Sequence, residues 1–258
     1  MTLKILGEEN NLRAILAPDG KSFMFFAQGT QQEFIEKVLL GEDYPVLYAN
    51  FYEPKTIVDI GAHVGSASRY FKHLFPDAQI YAFEPHPLSY KILEKNCSQW
   101  DDIHIFNVGL GDEDEDIRLY EGQYNAMQAS TLPSEIENRE HFYDINILNA
   151  EQVFQDQNIE KIDILKIDTE GVEVPILRAI EHRILSTDIV LLEYHSEEDR
   201  KILDGMMGEQ KLLYHADVME PHRGTLGYIS TSLLDRLRKE HSIPYYAEPK
   251  KHKYSSGK

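Results

Sequence analysis

The chain has 258 residues, enough for one or two domains with a full core, and 42% hydrophobic with 27% charged residues is the composition of a soluble globular protein. Lys and Arg total 26 against 44 Asp and Glu, so the net charge is −18, a balance that repels nucleic-acid phosphates and anionic membrane surfaces. The single cysteine, Cys97, excludes an internal disulfide and a cysteine-built zinc site. No signal peptide opens the chain, and no apolar run reaches the ~20 residues of a membrane span, which together read as a cytoplasmic protein.

LRAIL at 12–16 and SFMFFA at 22–27 read as a β-hairpin about Pro18-Asp19-Gly20-Lys21, where proline presets φ and glycine tolerates a positive φ. Phe34, Ile35, Val38 and Leu39 share one face of a short helix stopped by Gly41. From Thr56 the pattern becomes α/β. TIVDIGA (56–62), QIYAFE (79–84), IHIFNVGL (103–110), DILKID (163–168) and DIVLLEYH (188–195) are apolar runs suited to strands buried on both faces. Between them lie amphipathic helices: one from about Ser66 (Ala67, Tyr70, Phe71, Leu74 inward), one from Pro87 (Leu88, Ile92, Leu93 inward), and one after Gly171 (Val174, Leu177, Ile180 inward). Strands alternating with such helices make a parallel α/β sheet. KLLYHADV (211–218) and TLGYIS (225–230) add two closing strands.

The resulting organisation is an N-terminal extension over 1–50, a catalytic-type α/β domain over 51–240, and a basic tail over 241–258. Residues 121–149 form a long polar stretch with little periodicity, the profile of a binding loop or lid. Asp112–Asp116 is a run of five acids that reads as a solvated turn, with Asp112 alone placed at a site.

The chemistry concentrates at strand ends. In Val58-Asp59-Ile60-Gly61-Ala62-His63-Val64-Gly65 a buried strand passes through glycines into a helix, which lets backbone approach a ligand closely. The turn is not a dinucleotide fingerprint, because His63 stands where its second glycine would be. Glu84, at the end of the next strand, is placed like the acid that accepts ribose hydroxyls. By strand alternation Lys166 shares a face with Asp168, and Glu193 with His195. If those strands are neighbours, two carboxylates and an imidazole converge. His195 is then the first candidate for a general base. Asp168 and Glu193 are orienters or ligands for a divalent cation such as Mg²⁺. Lys166 reads as the partner of a buried carboxylate. Cys97 reads as a small core residue.

VDIGAHVGSAS, YAFEP, NVGLGDEDEDIRLY, ILKIDTEGVEVPIL and IVLLEYH, in that order over roughly 56–195, resemble the FkbM-type methyltransferases, a class I S-adenosylmethionine-dependent family. The resemblance implies a seven-stranded Rossmann-like sheet whose last strand is antiparallel, with S-adenosyl-L-methionine across the carboxyl ends of its strands. By position it implies Asp59, Gly61, His63 and Gly65 around the methionine moiety and Glu84 on the ribose. It likewise puts Leu110, Gly111 and Asp112 beside the adenine. The family usually shows Asn where His63 stands, and Leu-Asp near Leu148-Asn149, where Asn149-x-x-Gln152 instead looks like a helix cap. The expected activity is O-methylation of a small-molecule hydroxyl, on a sugar, glycan-linked or secondary-metabolite acceptor. Nucleic-acid and membrane partners are not expected, and a homodimer remains open. Two other readings also stay open: an NAD-dependent oxidoreductase, against which His63 speaks, and a protein that binds S-adenosylmethionine without turnover.

Overall fold

The computed structural model describes residues 8–9, 12–16, 22–26, 32–47, 51–122, 125–130 and 142–241. The N-terminal segment is a three-stranded antiparallel sheet, β1 (Glu8–Glu9), β2 (Leu12–Leu16) and β3 (Ser22–Phe26), followed by α1 (Gln32–Leu40). The hairpin pairing expected for 12–16 and 22–27 is present, with Leu12 opposite Phe26. Its turn residues 18–21 lie outside the described residues. Ile35, Val38 and Leu39 of α1 are buried as their spacing implies. Phe34 is not: it is 52% exposed and stands at the mouth of a cavity.

The α/β domain then runs β4 (Thr56–Ile60), α2 (Ser66–Leu74), β5 (Gln79–Phe83), α3 (Pro87–Cys97) and β6 (Ile103–Phe106). On α3 the buried row is Ser89, Leu93, Asn96 and Cys97, while Leu88, expected inward, is exposed; one helical step separates it from that row. The expected third strand ends at Phe106, and Gly109–Gly111 leaves it as β7 to join a second sheet. That sheet is completed by β8 (Glu115–Gly122), β9 (Asn125–Ser130) and β10 (Phe142–Asn149), in the order β7-β10-β8-β9. The acidic run is therefore only half a turn, since Glu115 and Asp116 open a strand and Asp116 accepts the Asn146 amide at 2.6 Å. Likewise the polar stretch expected as a lid is largely β-structure; of it, residues 123–124 and 131–141 lie outside the described residues.

Asn149 caps α4 (Ala150–Asp156), its side chain accepting the Gln152 amide at 2.9 Å. There follow β11 (Ile164–Ile167), α5 (Glu173–Ala179), α6 (Glu181–Ile184), β12 (Ile189–Tyr194), α7 (Glu197–Met207), β13 (Lys211–Glu220), β14 (Arg223–Ser230) and α8 (Thr231–His241). The central sheet has the order β13-β14-β12-β11-β4-β5-β6. From β6 to β12 its strands are parallel, and β14 runs antiparallel to β12. Alternate residues feed two cores, Ile57, Ile164 and Ile189 on one face and Val58, Leu165 and Val190 on the other. Asp59, Lys166, Asp168 and Glu193 fall in the first of these rows and so emerge on one side of the strand ends. Among the described residues no helix is long and apolar enough to cross a membrane. The expected tail beyond residue 241 lies outside the described residues.

Candidate active site

A cavity of about 650 Å³ opens over the carboxyl ends of β4, β5, β11 and β12, where open α/β sheets bind their ligands. One end is built by the turn after β4. Gly61 (φ +75°), His63 (φ +50°) and Gly65 (φ +88°) let the chain reverse tightly. The amides of Gly61 and Ala62 both donate to the Phe83 carbonyl at 3.0 Å, which ties this turn to the end of β5. Glu84 closes the tie: its carboxylate accepts the His63 amide at 2.7 Å and the His86 amide at 2.8 Å. Burial pushes the Glu84 carboxyl up to about 7 against those two amides, which favour its ionised form. Each oxygen keeps a lone pair for a ligand hydroxyl.

Gly61, His63, Glu84, Leu110, Gly111 and Asp112 all line the cavity. Asp59 and Gly65 do not. Asp59 is fully buried behind the wall, where it accepts the Ser68 hydroxyl at 2.6 Å and faces Lys166 Nζ at 3.2 Å. A side chain at Gly65 would meet Leu93 Cδ1 at 2.8 Å, so this glycine serves the packing of α2 on α3. Both are placed for architecture rather than ligand contact.

The other end is built by β11 and β12, which are neighbours as the convergence of their end residues requires. Lys166 is buried, as expected, against carboxylates: it lies 3.2 Å from Asp59 and 3.6 Å from Asp168 and donates to the Gly61 carbonyl at 2.6 Å. Burial alone would lower its pKa, but the two carboxylates raise it, so it is a fixed cation. Asp168 accepts the Tyr44 hydroxyl at 2.7 Å. Burial opposes its ionisation, yet Lys166, Glu193 and Tyr44 hold it well below the usual carboxylate range. Glu193 is the counterpart. Burial, the Asp168 charge and a hydrogen bond to Asp168 push it up to about 9, although Arg223 Nε donates to it at 2.6 Å. The two carboxyls are thus pushed apart, Asp168 towards its ionised form and Glu193 towards its protonated one.

His195 does not line the cavity. Nδ1 lies 3.3 Å from Glu173, and Nε2 lies 3.2 Å from Glu170 and 3.8 Å from Glu193. Burial would lower its pKa, but the carboxylates around it push it up to about 11. Those carboxylates favour its charged form, and it stands outside the cavity lining, so the structure does not bring it to the site where a general base is expected. Single ligand atoms of Asp168, Glu193 and His195 lie within 4.8 Å of one another, close enough to bridge one cation. Asp168 is already paired with Lys166 and Glu193 with Arg223, so a cation would have to share both carboxylates with them. The donor set fits a hydrogen-bonded acid pair better than a metal.

Tyr44, His86 and Arg223 were not visible as site residues in the sequence. Tyr44 precedes an irregular segment, His86 looks like a helix cap, and Arg223 sits beside a turn. Only His86 carried a signal, its place two residues after the strand-end acid.

The reversed strand beside β12, the glycine turn after β4 and the acid closing β5 together define a class I, Rossmann-like methyltransferase fold. Residues 59–215 match the family model described as the methyltransferase FkbM domain, and the chain belongs to that family. It is 25% identical over 233 residues to Methyltransferase sdnD of Sordaria araneosa, covering 78% of this chain and 89% of that protein. It is 23% identical over 155 residues to 2-O-methyltransferase NoeI of Sinorhizobium fredii, covering 55% and 64%. The crystal structure of Methyltransferase FkbM from Methylobacillus flagellatus KT shares the fold, with a TM-score of 0.51 at 14% identity over 72% of this chain and 46% of that one.

Proposed function

We propose that this protein is an S-adenosylmethionine-dependent O-methyltransferase acting on a hydroxyl of a small molecule, a sugar, glycan-linked or secondary-metabolite acceptor. The observation that carries the reading is one cavity with a hydroxyl-accepting carboxylate, Glu84, at one end and an ionised carboxylate, Asp168, at the other. Its volume lies within the roughly 300–1,000 Å³ of small-molecule sites. The name 2-O-methyltransferase of the Sinorhizobium relative supports an oxygen acceptor.

The donor supplies a methyl on a sulfonium, already activated, so that the acceptor oxygen forms the new C–O bond as the C–S bond breaks and its electron pair stays on sulfur. The protein's task is alignment and one proton. Asp168 accepts the hydrogen bond of the acceptor hydroxyl beside Tyr44. A strongly ionised carboxylate is a weak base, yet it suffices, because the oxygen becomes very acidic as it gains the methyl. Glu193 holds Asp168 in place through the hydrogen bond between them, and Arg223 fixes Glu193. Gly61, His63, Leu110, Gly111 and Asp112 enclose the donor beside Glu84.

Asp168→Asn is expected to bind S-adenosylhomocysteine like the parent and to lose a hundredfold or more, about the weight of general base catalysis, in product release over a panel of hydroxylated acceptors. Unchanged turnover would remove Asp168 from the mechanism. Because Lys166 and Arg223 already pair with the two carboxylates, turnover is expected to be the same in EDTA as in Mg²⁺. Activity lost in EDTA and restored by the ion would assign Asp168 and Glu193 to a cation instead.

A further inference from the structure

β13 is an edge of the central sheet: among the described residues it pairs with β14 alone. A free edge offers a row of N–H and C=O groups to another chain, and soluble proteins blunt it with proline, outward lysine or a short strand. β13 runs for 10 residues without a proline, and its one lysine, Lys211, is buried at the start. Ala216 to Glu220 are exposed without interruption. Of the 8 exposed large apolar side chains among the described residues, half stand on this strand: Leu212, Leu213, Val218 and Met219.

The order of the side chains identifies what fits there. The ladder with β14 shifts register between Leu213 and His215 and again between Val218 and Glu220. At each shift two residues occupy one ladder position. Counted by position, the strand reads Leu212, Leu213, the Tyr214–His215 bulge, Ala216, Asp217, Val218 and the Met219–Glu220 bulge, with Ala216 in the middle. Turned about Ala216, it meets itself with Leu213 opposite Val218, Leu212 opposite Met219 and His215 opposite Asp217. Residues paired across a ladder must share a face of the sheet, and these do. Leu213 and Val218 stand two positions either side of Ala216, on its own face; Leu212 and Met219 stand three away and His215 and Asp217 one away, on the other. Apolar side chains therefore meet apolar ones, and an imidazole rather than a second acid faces Asp217. An edge that reads the same in both directions fits a copy of itself, the isologous arrangement of two-fold dimers.

We propose that β13 pairs antiparallel with β13 of a second copy of this chain, about a two-fold axis at Ala216. The two central sheets become one continuous sheet. Asp217 and Met219 also line the cavity, so the interface borders its mouth.

The full chain is to be sized by sedimentation velocity at micromolar concentrations in about 0.3 M NaCl, which screens the repulsion between two acidic copies. The expected mass is twice the 29.9 kDa of one chain. Val218→Lys places a charge opposite the second copy's Leu213 and is expected to give single chains over the same range. Val218 is 68% exposed, so the substitution leaves the fold intact, which a melting curve checks. Ala216→Cys reads the axis itself. Facing Cα atoms of an antiparallel pair are about 4.5–5.5 Å apart, within disulfide range, and the native Cys97 is buried. Oxidised glutathione is expected to join two such chains covalently. Single chains at every concentration overturn the proposal, as does a dimer that Val218→Lys leaves intact. If the lysine variant fails to fold, Ala216→Cys decides, and its failure to cross-link overturns the proposal.

Discussion

Glu84 concentrates two conflicting demands on one carboxyl. It must be ionised to accept ligand hydroxyls, yet it is buried and raised to about 7. A carboxyl whose folded pKa lies above its unfolded value of 4.5 contributes stability that is complete below pH 4.5 and is lost as the pH rises through 7. The ligand-free protein is thus less stable on this account where the site is better prepared to bind. Affinity for S-adenosylhomocysteine is expected to rise about tenfold from pH 6 to pH 8, since a pKa near 7 leaves roughly one carboxyl in ten ionised at pH 6. His63 and His86 do not titrate in that window, because burial lowers both to about 4. Asp43, raised to about 6 by burial and by Asp168, lines the same cavity, so Asp43→Asn serves as the control and should keep the rise. A flat profile would mean that Glu84 is ionised throughout.

At the scale of elements the β4 turn shows what a sequence pattern reveals and what it conceals. In sequence Gly61 reads as a glycine for close ligand approach, and it lines the cavity, but its stricter constraint comes from its neighbour. A Cβ there would lie 1.7 Å from the Asp168 carbonyl oxygen, at a φ of +75° that non-glycine residues avoid. Gly61→Ala is expected to cost at least about 3 kcal/mol in urea unfolding, since backbone rather than a flexible side chain would have to move. Gly205, exposed within α7 with nothing within 4 Å of its Cβ position, is the counter-example, and Gly205→Ala should add about 0.5–1 kcal/mol. If the two variants melt alike, the packing of the turn on Asp168 is looser than the geometry implies. The same locality explains what was legible. Strands buried on both faces announce themselves as apolar runs, so β4, β5, β11, β12 and β14 are readable within a residue or two; β13 is readable as well, although most of it is exposed. The β7-β10-β8-β9 sheet was not, because it buries a small core of Leu119, Ile145 and Ile147 and leaves its other side polar. Asp168 and Glu193 could be placed together from strand alternation. The carboxylates around His195 could not, because Glu170 and Glu173 reach it from the loop and helix that follow β11, a long-range contact with no local pattern.

For the molecule as a whole the dominant quantity is its charge, with 44 acids against 26 Lys and Arg. Exposed pairs such as Arg118–Asp144, at 3.1 Å, contribute little each. Of the buried cations, Lys166 is committed to Asp59 and Asp168 and Lys72 to Asp102, while Arg69 and Lys211 donate to the Asn96 and Leu185 carbonyls. The uncompensated acids therefore repel one another across the surface and around the cavity mouth, where Asp43, Asp217 and Glu220 stand. Self-repulsion of this kind weakens the compact state and is screened over about 10 Å at 0.1 M salt. The thermal midpoint is accordingly expected to rise by several degrees between 10 mM and 300 mM NaCl, measured at pH 8 to keep the acids ionised. A polyanion such as heparin should produce no shift at either salt concentration. A midpoint that falls with salt would show that attractive pairs outweigh the excess of acids. Stabilisation by heparin would reveal a basic surface that the net charge conceals, and would reopen the expectation that this protein does not bind nucleic acid.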